Sequence, residues 1–528
     1  MKSSFDIVVY GSTSGAVAAA IQSARLNRRV ALVSPHTHIG GIQVEGLGGS
    51  DIDNQAEFQN SGTVRGLALE LHRRISSHYG RLDLLEKVVT EKLKDPSVWR
   101  FESSVAEAVI GKWLKEEKAV RIIYGRLANE ESVRKQGNRL QQITLSNGQV
   151  FSAPVFIDGS YEGDLLAAAG VSTVIGREAS SIYGESLAGV RAETPYRQFN
   201  VPVDPYRSPQ DPSSGTIYGV SSEPFGEPGQ GDKHLAAYSF RLPLTKDPSN
   251  QKPITKPEGY NPDHYELHKR FAKAGGEWYT PTARLPNGKT DLIGSEAVLA
   301  TDLLGMNDGW ATGDYKTRQD MLQEATTFTK GLLYFFTSDL SLPADVRDEW
   351  SQWGYCLDEF PDNDHFPRQL YVRDARRMLS DYVITQHTAS EDGEEPVQDS
   401  VTVACWPTDT HCARRVVRDG IAHSEGFIFK DGHRWRPFGV SYRSLVPRKS
   451  EAVNLITATC PSSSHVGYGA VRLEHQFYAL GQSCAHACDI FLEDKGDIRD
   501  VSYQELKQRL EADGLVLDAT QIPKPSMP

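Results

Sequence analysis

Gly11-Ser12-Thr13-Ser14-Gly15-Ala16 is the first place where residue type and spacing amount to chemistry. A tight turn leading into a helix presents unbonded N–H groups and the positive end of the helix dipole, which together suit a pyrophosphate. Read as G-x-G-x-x-G the turn is degenerate, with Thr13 and Ala16 at the second and third glycine positions. The ribose of a dinucleotide usually meets an acid at the end of the second strand. Here the chain reads Val33-Ser34-Pro35, so Ser34 offers an uncharged hydrogen bond instead. His38-Ile39-Gly40-Gly41 and Gly46-Leu47-Gly48-Gly49 then bring five glycines into twelve residues, a density that suits backbone lying against a flat ligand. The competing reading is a surface loop. Further on, Arg373, Arg376 and Arg377 form the densest basic cluster, with Arg373 and Arg377 four apart and so on one face of a helix. A guanidinium pair of this kind suits a carboxylate or polyhydroxylated substrate; the competing reading is ion pairing to Asp374 and Asp381.

The elements that must position these groups start at once. Phe5 to Tyr10 is a short apolar run, followed by the glycine turn, an Ala-rich helical stretch to about Arg25 and a second apolar run from Arg29 to Val33. This is the strand, turn, helix, strand opening of a doubly wound sheet. The apolar spacing predicts a helix over Ser104 to Lys115 and a strand over Ala119 to Tyr124. Leu140 to Leu145 and Gln149 to Ile157, separated by Ser-Asn-Gly, read as a β-hairpin. From about Glu193 to Asp263 helical periodicity lapses and Pro, Gly, Ser and Asp become frequent, which places a domain boundary there. Long helical patterns return from Tyr315 to His387; among them the consecutive Tyr334-Phe335-Phe336 point three ways on a helix and read as core or domain interface. A last helix is expected from about Gly469 to Leu492.

Composition narrows the function classes. Across 528 residues, 57 Lys+Arg against 69 Asp+Glu leave a net charge of −12 without a sustained basic block, which disfavours a nucleic-acid partner. The six cysteines show neither a C-x-x-C pair nor a zinc spacing, so metal and dithiol chemistry are not expected; Cys484 and Cys488, four apart, read as core packing on one helix face. No apolar run approaches the length that spans a bilayer, and the chain enters a strand without a charged and apolar leader, so the expected address is cytoplasmic.

The series of motifs resembles the FAD-dependent oxidoreductases often labelled xanthan-lyase-like, relatives of the glutathione-reductase-type flavoproteins. Besides the turn, the resemblance rests on Phe101 to Glu107, Ile157-Asp158-Gly159-Ser160-Tyr161-Glu162-Gly163-Asp164, and Gly176-Arg177-Glu178-Ala179 leading into Tyr183 to Gly189. It continues through Leu285 to Asp291, Gln369 to Arg377, Tyr442 to Pro447, and Ser464-His465-Val466-Gly467-Tyr468-Gly469 through Arg472-Leu473-Glu474 to Ser483. It implies an α/β fold: a Rossmann-like FAD-binding domain of the glutathione-reductase type built from both chain ends (1–190 and 440–528), with an inserted α+β substrate or cap domain (191–439). It also implies FAD held by the Gly11 to Ala16 turn, by Val105 pairing its backbone with the adenine edge, and by Gly159 letting a strand end pass close to the cofactor. Ser34 departs from the acid that family members usually carry at the ribose.

Hydride transfer to flavin N5 leaves negative charge on the pyrimidine edge, which calls for a fixed positive end nearby. The helix expected from Tyr468-Gly469 supplies one, with Gly467 and Gly469 allowing contact and Arg472 adding a full charge. Oxidation at C–OH or C–N also needs a base. His465, immediately before the glycine turn, is the first candidate and His411 the second; either histidine is also a candidate for covalent flavin attachment. Arg443 is weighed like the Arg373 cluster, between substrate contact and ion pairing. The expected activity is two-electron oxidation of a small organic substrate, sugar-like or a secondary metabolite, with dioxygen or another acceptor reoxidising the flavin. The alternatives are an NAD(P)-dependent oxidoreductase using only the first βαβ unit, and a flavin-binding protein without turnover.

Overall fold

The computed structural model describes every residue except 1, 55–58, 129–131, 392, 394–395, 430–433, 495 and 525–528. Its frame is a five-stranded sheet of β1 (Ile7–Tyr10), β2 (Val30–Ser34), β3 (Val120–Tyr124), β4 (Val155–Asp158) and β5 (Leu455–Thr457). Their order is β5-β4-β1-β2-β3, and every pair is parallel. Every residue of β1, β2 and β4 is buried, so these short unbroken apolar runs suit strands covered on both faces. From β1 the chain first builds outward through β2 and β3, then returns to the other side of β1 with β4. The strand order therefore reverses at β1, and ligands of such sheets bind outside the carboxyl ends of the strands at that reversal.

Helix α1 (Ser14–Arg25) joins β1 to β2, and α2 (Ser103–Glu116) precedes β3. The C-terminal helix α4 (Glu474–Asp494) lies against α1 so tightly that a Cβ at Gly481 would run into the Gly15 carbonyl. With β5 pairing β4, the two ends of the chain thus build one sheet and one helix layer. Gly481→Val is accordingly expected to cost about 1–3 kcal/mol, as overpacking does, seen as a lower urea midpoint at unchanged slope.

The helix and strand expected around Ser104 and Ala119 form within a residue of their predicted bounds. The hairpin forms as Arg139–Thr144 against Val150–Ser152, but the second run divides. After Ala153-Pro154, where proline cannot donate to a ladder, the chain leaves the hairpin sheet and enters the parallel one as β4. The C-terminal helix starts at Glu474 rather than Gly469, because His465–Tyr468 forms a separate short helix capped by Ser464.

The segment between the chain ends contains the 24-residue helix α3 (Tyr315–Ser338), several two- and three-stranded antiparallel sheets and long irregular runs. Phe335 and Phe336 are fully buried, and Phe336 stacks on Trp350 at 4.6 Å, in line with a core role. Among the described residues all six cysteines are free and buried, with Cys484 and Cys488 inside α4. No described helix is long and apolar enough to cross a membrane.

Candidate functional site

The site begins where β1 ends. Gly11 has φ +136°, and a Cβ there would collide with the carbonyl of Gly159, the first residue after β4. Thr13, at a position usually held by glycine, caps α1 by accepting from Ala16 N at 3.2 Å and donates to the Gly159 carbonyl at 2.7 Å. Ala16, at the other non-glycine position, lies under Gly159: a Cβ on Gly159 would meet the Ala16 Cβ at 2.7 Å. The close approach at Gly159 within the protein is thus to α1. Gly40 N and Gly41 N both donate to the Ser12 carbonyl, at 2.7 and 2.9 Å, and so brace the turn from behind. Among the described residues, the N–H groups of Ser12, Thr13, Ser14 and Gly15 find no acceptor.

A cavity of about 930 Å³ opens from this turn, at the upper end of what small-molecule sites enclose. On one side it is lined by Pro35, His36 and Arg126 to Ala128, beyond the carboxyl ends of β2 and β3. Ser34 is buried there with its hydroxyl donating to the His36 carbonyl at 2.5 Å. On the other side Ser160, Tyr161 and Glu162 follow β4, facing Trp310 and Arg318. Asp158 shapes that loop by accepting from Ser160 N and Leu166 N, each at 2.9 Å, and burial pushes its carboxyl up to about 6. Arg318 grips Asp164 with two bonds of 2.8 Å, and Arg376 adds a third at 3.1 Å. Ser12 and Thr13, two of the four residues with unpaired N–H groups, line this dinucleotide-sized cavity, an arrangement that fits the pyrophosphate end of FAD.

The glycines expected to lie against a flat ring do not border this cavity. A Cβ at Gly46 would run into the Arg241 carbonyl, at Gly48 into the Phe101 carbonyl, and at Gly467 into the Ile384 carbonyl. Gly469 is similarly close to the Asp409 backbone, at 3.0 Å. These residues are glycines because chain packs on chain. Tyr468 is buried beside them, donating to the Thr459 carbonyl at 3.0 Å. Val105 also lies away from the cavity: its helix α2 starts beside the 46–48 segment, where Gly46 N donates to Ser103 Oγ at 2.9 Å.

His465 is buried, its backbone N–H held by Glu178 at 2.9 Å and its Nδ1 3.1 Å from Asp374 Oδ2. Its Nε2 has no partner among the described residues. His411 is also buried, with Nδ1 2.5 Å from Asp302 and the ring stacked on Phe427. Burial, and then the positive charge of Arg373, push its pKa down. Arg373 pairs with Asp302 at 3.2 Å and donates to Ser239 Oγ at 2.9 Å. Its guanidinium lies 4.8 Å from the centre of the Tyr371 ring, whose hydroxyl accepts from Arg472 at 3.0 Å. His411, Asp302, Arg373, Tyr371 and Arg472 thus form one buried polar network.

Arg373 and Arg377 do not share a helix face, because the chain is not helical there and Arg377 enters a two-residue strand. Arg377 pairs with Glu178 at 2.9 Å and lies 3.9 Å from Asp374, the ion-pairing outcome. Asp381 instead takes Arg499 at 2.6 Å. Arg443 is on the surface, 58% exposed and paired with Asp399 at 3.0 Å, so the structure does not bring it to either cluster. Arg472 precedes α4 rather than lying in its first turn. No group of metal-ligating side chains occurs among the described residues. Tyr161 and Glu474 have no role in the sequence reading, and Asp374 has only that of an ion-pair partner, although all three lie inside the quoted motifs.

Comparison with known proteins adds the following. The profile of the family described as FAD dependent oxidoreductase matches residues 6–510. No curated protein matches the chain. Among solved structures it is similar, at 14% identity and TM-score 0.23, to L-amino acid deaminase from Proteus vulgaris, covering 33% of this chain and 53% of that one. It is similar at 15% identity and TM-score 0.25 to L-proline dehydrogenase from P. horikoshii, covering 34% and 59%. A probable FAD-dependent monooxygenase, pqsL from Pseudomonas aeruginosa, is 12% identical with TM-score 0.23, covering 41% and 55%. In each case the chain spans less than two thirds of the solved protein.

Proposed function

We propose, from the premise that this chain belongs to the FAD dependent oxidoreductase family, that it oxidises a small organic substrate at a C–OH or C–N bond by two electrons. FAD, the cofactor of the family, supplies the hydride acceptor. Residues 1–190 and 440–528 form the cofactor domain in this reading, and 191–439 cover it and shape the substrate pocket. The N–H groups of Ser12 to Gly15 hold the pyrophosphate, and the cavity walls at Pro35, His36 and Arg126 take the adenosine side. His465 is the base: Asp374 fixes its orientation through Nδ1 and steadies the imidazolium that forms, while Nε2 takes the substrate proton.

The observation that carries this reading is the run of unpaired N–H groups in the turn, of which those of Ser12 and Thr13 belong to residues lining a cavity of about 930 Å³ at the strand-order reversal. The test is optical. The purified protein is expected to be yellow, and anaerobic addition of members of a panel of polyhydroxylated, carboxylated and amine substrates is expected to bleach it for one class. A colourless protein that binds NAD in place of FAD would overturn the cofactor assignment. A yellow protein that no substrate bleaches would mark a binding protein without turnover.

A further inference from the structure

Glu474 is the first residue of α4, and its carboxyl is buried beside the phosphate turn. Ser14 Oγ donates to its Oε2 at 2.5 Å, and Tyr161 OH donates to its Oε1 at 2.7 Å. The Tyr161 hydroxyl is in turn fixed by accepting from Ile42 N at 3.1 Å. Ser14 belongs to the row whose N–H groups lack an acceptor. An anion accepting from Ser14 N is therefore separated from the Glu474 carboxyl by two hydrogen bonds and the width of the Ser14 residue, about 6–8 Å in all. In a poorly solvated interior two negative charges at that separation disfavour each other strongly, and the carboxyl escapes by taking up a proton.

We propose that Glu474 must carry a proton for the pyrophosphate of FAD to seat on the turn, so that loading the cofactor takes one proton from solvent onto the Glu474 carboxyl. The proposal rests on the FAD reading above and adds a pH control to it.

The surroundings leave this proton to Glu474. Burial pushes its carboxyl up to about 7, despite hydrogen bonds from Ser14 and Tyr161 and the positive charge of Arg472. Arg472 is already engaged by the Asp409 carbonyl and Tyr371 OH. Tyr161, Tyr371 and Tyr478 are phenols whose pKa burial raises further. His72 and His475 border the same small void as Glu474, and burial brings them down to about 3 and about 4, so they stay neutral. Asp51, across that void, and Asp158, at the end of β4, are also shifted upward by burial, and the Glu474 variant separates their contribution.

The sign follows from linkage. Below the free-state pKa of Glu474 the acid is protonated with and without FAD, and affinity is flat. Above it, binding must take up a proton, and affinity falls by up to tenfold per pH unit until the raised pKa of the complex is passed.

The experiment uses the full chain stripped of flavin, titrated with FAD calorimetrically at about pH 6 and about pH 8.5 in buffers of different ionisation enthalpy. The wild type is expected to bind roughly tenfold or more weakly at the higher pH, with proton uptake approaching one per FAD. Glu474→Gln, whose amide oxygen accepts from one hydroxyl while its NH2 donates to the other, is expected to bind equally at both pH values without proton uptake. Equal wild-type affinity at both pH values with no proton taken up overturns the role of Glu474 and leaves the FAD reading standing. No FAD binding at either pH overturns both. If Glu474→Gln does not fold, Asp51→Asn decides: proton uptake kept in that variant supports Glu474, and uptake lost in it overturns the proposal.

Discussion

Gly11→Val is expected to purify without flavin and with a clearly lowered unfolding midpoint. The backbone at this position has φ +136°, where a β-branched side chain is strained by about 1–3 kcal/mol. The new Cβ would also meet the Gly159 carbonyl, adding an overpacking cost of about 1–3 kcal/mol. Against a total stability of about 5–15 kcal/mol the chain can still fold, but the turn cannot keep its shape. The Gly159 carbonyl accepts the Thr13 hydroxyl, and Thr13 caps α1, so moving that carbonyl re-aims the N–H groups of Ser12 to Gly15. The damage passes through the protein scaffold rather than through direct occupation of pyrophosphate space. Thr13→Val separates the two effects: it keeps the shape and removes the hydroxyl, with an expected cost of about 1 kcal/mol and partial flavin loss. Flavin absorbance relative to protein absorbance, measured with urea unfolding of both variants, checks the pair. Full flavin content in Gly11→Val would remove the turn from the site.

What the sequence revealed and what it hid divide along one physical line. The β1 to β2 unit, α2 and β3 were legible because each is specified by residues a few positions apart: a buried apolar run, a turn, a periodic face. The start of α4 was misplaced because Gly467 and Gly469 look like a helix entry, whereas Ser464 caps a short helix before it. Glycine is the hardest residue to read, since the pattern records only that a Cβ is excluded and not what excludes it. At Gly46, Gly48 and Gly467 the excluding atoms are carbonyls of Arg241, Phe101 and Ile384, distant in sequence. The spacing of Arg373 and Arg377 suggests a helix face, but their partners, Asp302 and Glu178, lie in other segments and the chain between them is not helical. Site chemistry is more remote still: Ser14 and Glu474 are 460 residues apart, and His465 and Asp374 are 91 apart. No local pattern encodes such pairs, and the family resemblance marked their neighbourhoods without giving their roles.

His465→Ala is expected to retain FAD and to slow anaerobic flavin reduction by roughly 10²- to 10⁴-fold, the usual contribution of a positioned general base. His465 is preferred over His411 because of what surrounds each ring. His411 shares Asp302 with Arg373, so part of the carboxylate charge that would stabilise an imidazolium is already committed, and burial with the Arg373 charge disfavours its protonated form. His465 shares Asp374 with the neutral Ala236 N–H, which donates to Oδ1 at 3.1 Å, and with Arg377, 3.9 Å away and engaged more closely by Glu178 at 2.9 Å. Its Nε2 is also unpartnered, as a base awaiting a substrate proton must be. Asp374→Asn tests the second half of the arrangement: the amide can hold the ring but cannot steady its positive charge, so reduction is expected to slow while flavin content stays unchanged. His411→Ala provides the contrast. Removing its ring frees Asp302 to pair with Arg373 alone, a rearrangement expected to alter substrate affinity more than the limiting rate of reduction. If His411→Ala slows the limiting rate and His465→Ala does not, the base lies in the Arg373 network and substrate must approach the flavin from that side.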